Sequence, residues 1–416
     1  MRKPVVLLAL IGAALALALY GCGGGSSSSG GGETSGGETS GSEASSSGGS
    51  GGGAEGTLKI GISAALAGPF APFDAPMLNG MKFAEKKIDA EGGMDGIEVE
   101  VVSENNKGET SLTATTTQDL LEKGITSFVM TTADSSIAGG QLIQAAGGVM
   151  TMGVNTPPVL LEEIGDHAFN VNFTDNLQAA ADAEYACEQG YKTAYELVAP
   201  QSPYTSEETM GKYFKEAFEH YCGGQVTGSD VFTIGSTNFG GQVTKLQNAS
   251  PQPEVIFTSM FVPDSGTFLK QLRGAGVEIP FIGTDGDDDP SLVETAGSAA
   301  NGVVYSTHQF PTPGGELEKF YKEYETVMGK PVETSTFEAI GRDQVYTLVE
   351  AAHDAGSLEP EAIATALGEL KHYKIIQGDL TMLPERYPSL PAYLVEIDNG
   401  KPKLVKEEVP SFIPKP

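Results

Sequence analysis

From Thr57 onward the chain alternates short β-rich runs with helical stretches, and the pattern runs through twice. LKIGIS, IEVEVVS, ITSFVM and VMTMGV read as strands. Between them apolar residues recur at helical spacing, as Met77, Met81, Ala84 and Ile88 do before Gly92-Gly93 ends the helix. Strands alternating with helices of this length imply βαβ units and a parallel sheet, because parallel neighbours need a crossover long enough to hold a helix. Past Phe173 the rhythm restarts with helix 175–189, TAYELV, helix 205–221, VTGSDVF, helix 238–248, EVIFTSM, helix 265–275, IPFIGT and GVVYST. Two α/β segments in succession predict two lobes, each a mainly parallel sheet flanked by helices. Helices 315–328, 335–355 and 361–370, with the strand-rich QGDLTML and PAYLVEID, must then pack on lobes already begun, so the chain has to cross between lobes several times.

The residues before Thr57 have a different character. Arg2-Lys3 precedes VVLLALIGAALALAL, which suits the apolar region of a signal peptide better than a full membrane span. Leu19-Tyr20-Gly21-Cys22 resembles a bacterial lipobox, with Tyr20 its unusual member. That resemblance implies a leader over 1–21 and a lipid on Cys22; the alternative is an ordinary secretory leader with an incidental thiol. Residues 23–56 contain 15 Gly and 11 Ser, too little apolar surface to offset chain entropy, so 22–56 is expected to be a disordered tether. Its G-x-S-x-G match at Gly48–Gly52 has no strand or helix around it and carries no catalytic meaning.

Charge and cysteines narrow the function classes. With 55 acidic against 25 basic residues and a net charge of −30 spread along the chain, a nucleic-acid partner is not expected. In an exported protein Cys187 and Cys222 are expected to form a disulfide, since the outside is oxidising and neither thiol has an activating motif beside it. The five histidines are scattered, no phosphate loop is present, and no metal or cofactor is expected.

The stretch LKIGISAALAGPFAPFDAPMLNGMKFAEKKIDAEGGMDG, followed by FIGTDG and STFEAIGRDQVYTLVEAA, resembles the branched-chain amino acid type of bacterial solute-binding proteins. These are type I periplasmic binding proteins that serve ABC importers, and similarity of order and spacing runs from Thr57 to about Asp398. The resemblance implies a two-lobed fold with three hinge crossings, placed near 173, 306 and 377. One lobe then spans 57–172 plus 307–376 and the other 173–306 plus 377–410. It also implies a monomer that binds a small ligand between the lobes and docks on permease subunits.

The same resemblance nominates site residues. Ser135, with Ser136 beside it, would hold a ligand carboxylate at a helix N-terminus, although Asp134, Ser135 or Ser136 could equally cap that helix. Val154, by its carbonyl, and Thr156 would touch the ligand head group, unless that loop is shaped only for folding. Asp285 would pair with an ammonium; the acidic run Asp285, Asp287, Asp288, Asp289 could instead be solvated, cap the next helix or form a calcium loop. Phe73, Tyr204 and Phe261 would present aromatic faces to the cleft, with Phe73 placed on a loop by Pro69, Pro72 and Pro76. Asp134 departs from the pattern: pointing into the cleft, it would repel a carboxylate and favour an amide or urea-like ligand. The chain is therefore expected to be a non-catalytic, membrane-tethered capture protein for a small, branched-chain-like amino acid. The alternatives are a binder of an amide or aromatic molecule, a sensor for a membrane receptor, or a hydrolase on the same body.

Overall fold

The computed structural model describes residues 54–154 and 157–416, so the leader, Cys22, the tether as far as 53 and Thr156 lie outside the described residues. The first part builds β1 (Gly56–Ala64), α1 (Ala71–Ala90), β2 (Ile97–Asn105), α2 (Thr110–Glu122) and β3 (Ser127–Met130). It continues through α3 (Ala133–Ala145), β4 (Val149–Met152), α4 (Val159–Ile164) and β5 (Ala168–Asn170). These strands form one parallel sheet in the order β2-β1-β3-β4-β5. Edge strand β2 alternates buried and exposed residues at its start, whereas central β3 and β4 are buried throughout, as expected when helices cover both faces.

The second part contributes α5 (Asp175–Glu188), β6 (Thr193–Val198), α6 (Lys212–Cys222), β7 (Gln225–Val231) and α7 (Gly240–Gln247). Then follow β8 (Val255–Thr258), α8 (Asp264–Gly274), β9 (Phe281–Gly283), α9 (Ser291–Ala296) and β10 (Val304–Thr307). The chain returns to the first sheet with α10 (Glu316–Met328), α11 (Phe337–Ala355), α12 (Pro360–Glu369) and the hairpin β11 (Tyr373–Ile375) and β12 (Gly378–Leu380). Strands β13 (Ala392–Asp398) and β14 (Lys401–Glu408) close the second sheet, whose order is β14-β13-β10-β9-β8-β6-β7. Its β6 to β10 portion is parallel, and β13 and β14 add antiparallel to one edge.

The fold is thus two-lobed and α/β, with each lobe a mainly parallel sheet flanked by helices, and the chain passes between sheets three times. The passages follow β5, follow β10, and lie between β12 and β13. Residues just beyond 377 still belong to the first sheet's side: Arg386 accepts from the Asn170 N–H (2.9 Å) and donates to the carbonyls of Ala168 (3.1 Å) and Leu161 (2.8 Å). Helices α1 and α11 meet backbone to backbone. A Cβ on Gly80 would lie 1.9 Å from the Glu338 carbonyl oxygen, and one on Gly341 would lie 2.0 Å from that of Met77, so both positions require the missing side chain.

Three local expectations are corrected. Phe73 sits in the first turn of α1 and not on a loop: Pro72 falls where a helix lacks an acceptor for its N–H, and its ring is already set for helical φ. The helix expected from 205 becomes regular only at Lys212, after a π-helical turn over Glu207–Gly211. Strands β5, β11 and β14, and the short α4, are additional to the elements the periodicity predicts. Cys187 and Cys222 are joined, with Cα atoms 5.7 Å apart, which ties α5 to the end of α6.

Candidate functional site

Loops at the carboxyl ends of the parallel strands converge on one cavity of about 40 Å³. The first lobe supplies Phe70 and Phe73 at the start of α1, Thr132 to Asp134 where β3 turns into α3, and Val154 after β4. The second supplies Ser202 and Tyr204 after β6, Phe261 after β8, and Asp285 and Gly286 after β9. Of the residues nominated from sequence, Phe73, Val154, Tyr204, Phe261 and Asp285 come together here. Ser135 borders a neighbouring recess beside Asp74 and Asn106, and Ser136 is fully buried with its hydroxyl unpartnered.

The aromatic wall joins the lobes. The Phe73 and Phe261 rings meet edge to face at 5.6 Å, Phe70 lies 5.8 Å from Phe261, and Phe73 also packs edge to face on Phe337 at 5.3 Å. Gly286 lets Phe261 come this close, since a Cβ there would lie 2.5 Å from the Phe261 Cβ.

Asp285 is held from three directions, consistent with the charge-assisted bonds a buried carboxylate needs. Its Oδ1 accepts from the Tyr204 hydroxyl (2.7 Å) and from Gln178 Nε2 (3.0 Å), and its Oδ2 lies 3.1 Å from His308 Nε2. Burial, aided by the Asp285 charge, holds the Tyr204 phenol well above its ordinary range, so it remains a donor. The buried His308 ring stacks on Phe173 at 4.2 Å, and its Nδ1 has no hydrogen-bond partner. Behind Asp285, on the inner face of α5, burial followed by the repulsion of Asp285 pushes Asp175 and Asp182 well above the ordinary carboxylate range. Their spacing around Gln178 places all three on one helical face, so two acids whose charge burial disfavours flank the amide that donates to Asp285.

Asp288 and Asp289 of the same acidic run have separate partners, and this dispersal does not match a calcium loop. Asp288 accepts from Thr307 (2.6 Å), Thr336 (3.0 Å) and Tyr305 (3.3 Å); burial lifts it to about 6. Because Thr336 immediately precedes α11, that bond ties the second lobe to the first. Asp289 Oδ1 accepts from the Ser291 N–H (2.8 Å) at the start of α9.

At the N-terminus of α3 the capping residue is Thr132. Its hydroxyl accepts from the Ser135 N–H, and the Ser135 hydroxyl accepts from the Thr132 N–H at 2.9 Å, a reciprocal box. Asp134 points into the cleft and accepts from the Ser202 hydroxyl of the other lobe at 2.7 Å; burial raises its carboxyl above the ordinary range. Sequence reasoning missed Phe70, Thr132, Ser202, Gln178 and His308. Phe70 and Thr132 carried local signals, a proline-flanked loop and a Thr-x-x-Ser spacing, whereas Gln178 and His308 reach Asp285 only through the tertiary fold.

With this geometry in hand, the chain can be set beside known proteins. A family model described as periplasmic binding protein matches residues 57–402. A Leu/Ile/Val-binding protein homolog 2 of Brucella abortus (strain 2308) is 24% identical over 343 residues, covering 81% of this chain and 89% of that protein. The leucine-, isoleucine-, valine-, threonine-, and alanine-binding protein of Pseudomonas aeruginosa is 21% identical, covering 76% of this chain and 83% of that one. Among solved structures, the leucine binding protein LivK of Thermotoga maritima superposes with a TM-score of 0.77 at 22% identity, covering 85% of this chain and 99% of that chain. A solute binding protein of R. palustris in complex with benzoate gives a TM-score of 0.73 at 18% identity, covering 86% and 98%. A match of this extent, on a two-lobed α/β body with three crossings and a cavity between the lobes, shows that the chain belongs to the periplasmic binding protein family, with the type I fold, a family of solute-binding proteins and not of enzymes.

Proposed function

We propose that this protein captures a small molecule with an apolar body and an amino nitrogen in the interlobe cavity and hands it to the permease of an ABC importer. The observation that carries this reading is Asp285. A carboxylate offers about four acceptor sites, and three are engaged by Tyr204, Gln178 and His308 while the group still lines the cavity. The remaining site suits a ligand N–H. The Phe73 and Phe261 rings, one from each lobe and in contact with each other, form a wall against which the apolar body would lie. Since both lobes contribute contacts, ligand favours the closed arrangement over an open one, which is the differential affinity that closure requires. Relatives named for leucine, isoleucine and valine make branched-chain amino acids the first compounds to test.

The sequence supports export and a lipid on Cys22, and residues 23–53 would then tether the body near its permease at high effective concentration. Among the described residues no helix is long and apolar enough to cross a membrane. The test is a thermal-shift titration of the ligand-stripped protein against amino acids, amines and amides, with Asp285→Asn in parallel. Binding raises the melting temperature with ligand concentration. A nitrogen compound that stabilises the wild type and loses that effect in Asp285→Asn supports the reading; equal stabilisation of both proteins would sink it.

A further inference from the structure

Among the described residues that line the cavity, none is prepared for a carboxylate. At the N-terminus of α3, where a ligand anion would dock, the Ser135 N–H is taken by the Thr132 hydroxyl and the Ser136 N–H by the Thr132 carbonyl (2.9 Å). Asp134 itself places an acidic side chain in the first turn of this helix. The anion that a helix start attracts is therefore supplied from within the chain. That same side chain lines the cavity, and Asp285 faces it from the other lobe. None of the described residues lining the cavity is Lys, Arg or His, so a ligand carboxylate would meet two acidic side chains and no cation. The remaining wall is aromatic: Phe70, Phe73, Phe261 and Tyr204. Ring faces attract cations through their quadrupole, most strongly where water is excluded.

We infer that the ligand is a small organic cation, a primary or secondary amine with an apolar body and no carboxylate. This rests on the cavity being the capture site, and it narrows the chemistry admitted there. The amine nitrogen faces Asp285 and Asp134, while its hydrocarbon lies among the rings. Burial raises the Asp134 carboxyl above its ordinary range, and a bound ammonium would oppose that shift.

Isothermal titration of the ligand-stripped protein with matched sets decides the matter: isoamylamine, leucine and isovaleramide on one skeleton, and phenethylamine, phenylalanine and phenylacetamide on another. The amine is expected to bind at least about tenfold more tightly than its amino acid and its amide, since one charged hydrogen bond corresponds to about a ten- to hundredfold change in affinity. Asp134→Asn, which keeps the shape and a partner for Ser202, is expected to weaken the amine by a similar factor and to narrow its advantage over the amino acid. Leucine or phenylalanine binding as tightly as its amine, or an amide doing so, would overturn the cation while leaving capture in the cleft intact. If no compound of any set binds and Asp285→Asn changes nothing, capture in the cleft falls with it.

Discussion

Asp74 is 1% exposed, sits in the first turn of α1 and accepts the Ala65 N–H at 2.6 Å through Oδ2. Burial raises its carboxyl from 3.8 to about 7 against the opposing effect of that hydrogen bond. An acid that holds its proton more tightly when folded stabilises the fold fully below its unfolded value, and that contribution is lost as pH climbs through the folded value. The gap between 3.8 and about 7 corresponds to about 4 kcal/mol for this one group, an order-of-magnitude figure. Glu196 and Asp287, each lifted to about 8, and Asp288, lifted to about 6, act in the same direction. Glu318 and Asp379, lowered by hydrogen bonds, oppose them but are exposed and screened by solvent. The protein is therefore expected to be more stable at pH 5 than at pH 8. Asp74→Asn mimics the neutral acid, keeps an acceptor for Ala65 and removes part of that dependence, so the variant matches the wild type near pH 4 and exceeds it by up to about 4 kcal/mol at pH 8. Urea denaturation of both proteins at pH 4, 5 and 8 measures this. A wild-type stability that rises from pH 5 to pH 8, or a variant with an undiminished slope, would refute the reasoning.

Two further outcomes concern the scaffold. Gly80→Ala places a Cβ against the Glu338 carbonyl oxygen and is expected to cost about 3 kcal/mol, read as a lowered denaturation midpoint with α11 the first element to lose amide protection. Replacing Cys187 and Cys222 together by Ala opens a loop of sequence separation 35, which corresponds to about 4 kcal/mol of chain entropy; urea denaturation should show a drop of that order while ligand affinity stays unchanged.

The alternation of strands and helices was legible because burial on both faces of a parallel sheet writes a strong pattern into β3, β4 and β8. Short or amphipathic elements were not: β5 has three residues and β14 reads KPKLVKEE, so neither leaves an apolar run. The sequence puts Phe73 on a loop because three prolines lie near it, whereas a helix start tolerates Pro72 and Phe73 falls in the first turn of α1. Asp285 was legible through a family resemblance, but its setting was not. Gln178 lies 107 residues away and His308 sits beyond the next strand, and no local spacing connects them. The direction of Asp134 was equally closed to sequence reasoning, since it depends on Ser202 arriving from the other lobe.

The most direct test of the account is a crystal structure of the protein with the compound that titration selects. The account predicts one molecule between the lobes, its nitrogen about 3 Å from the Asp285 carboxyl group and its apolar body against the Phe70, Phe73 and Phe261 rings. A ligand seated elsewhere, or one whose nitrogen points away from Asp285, would contradict it.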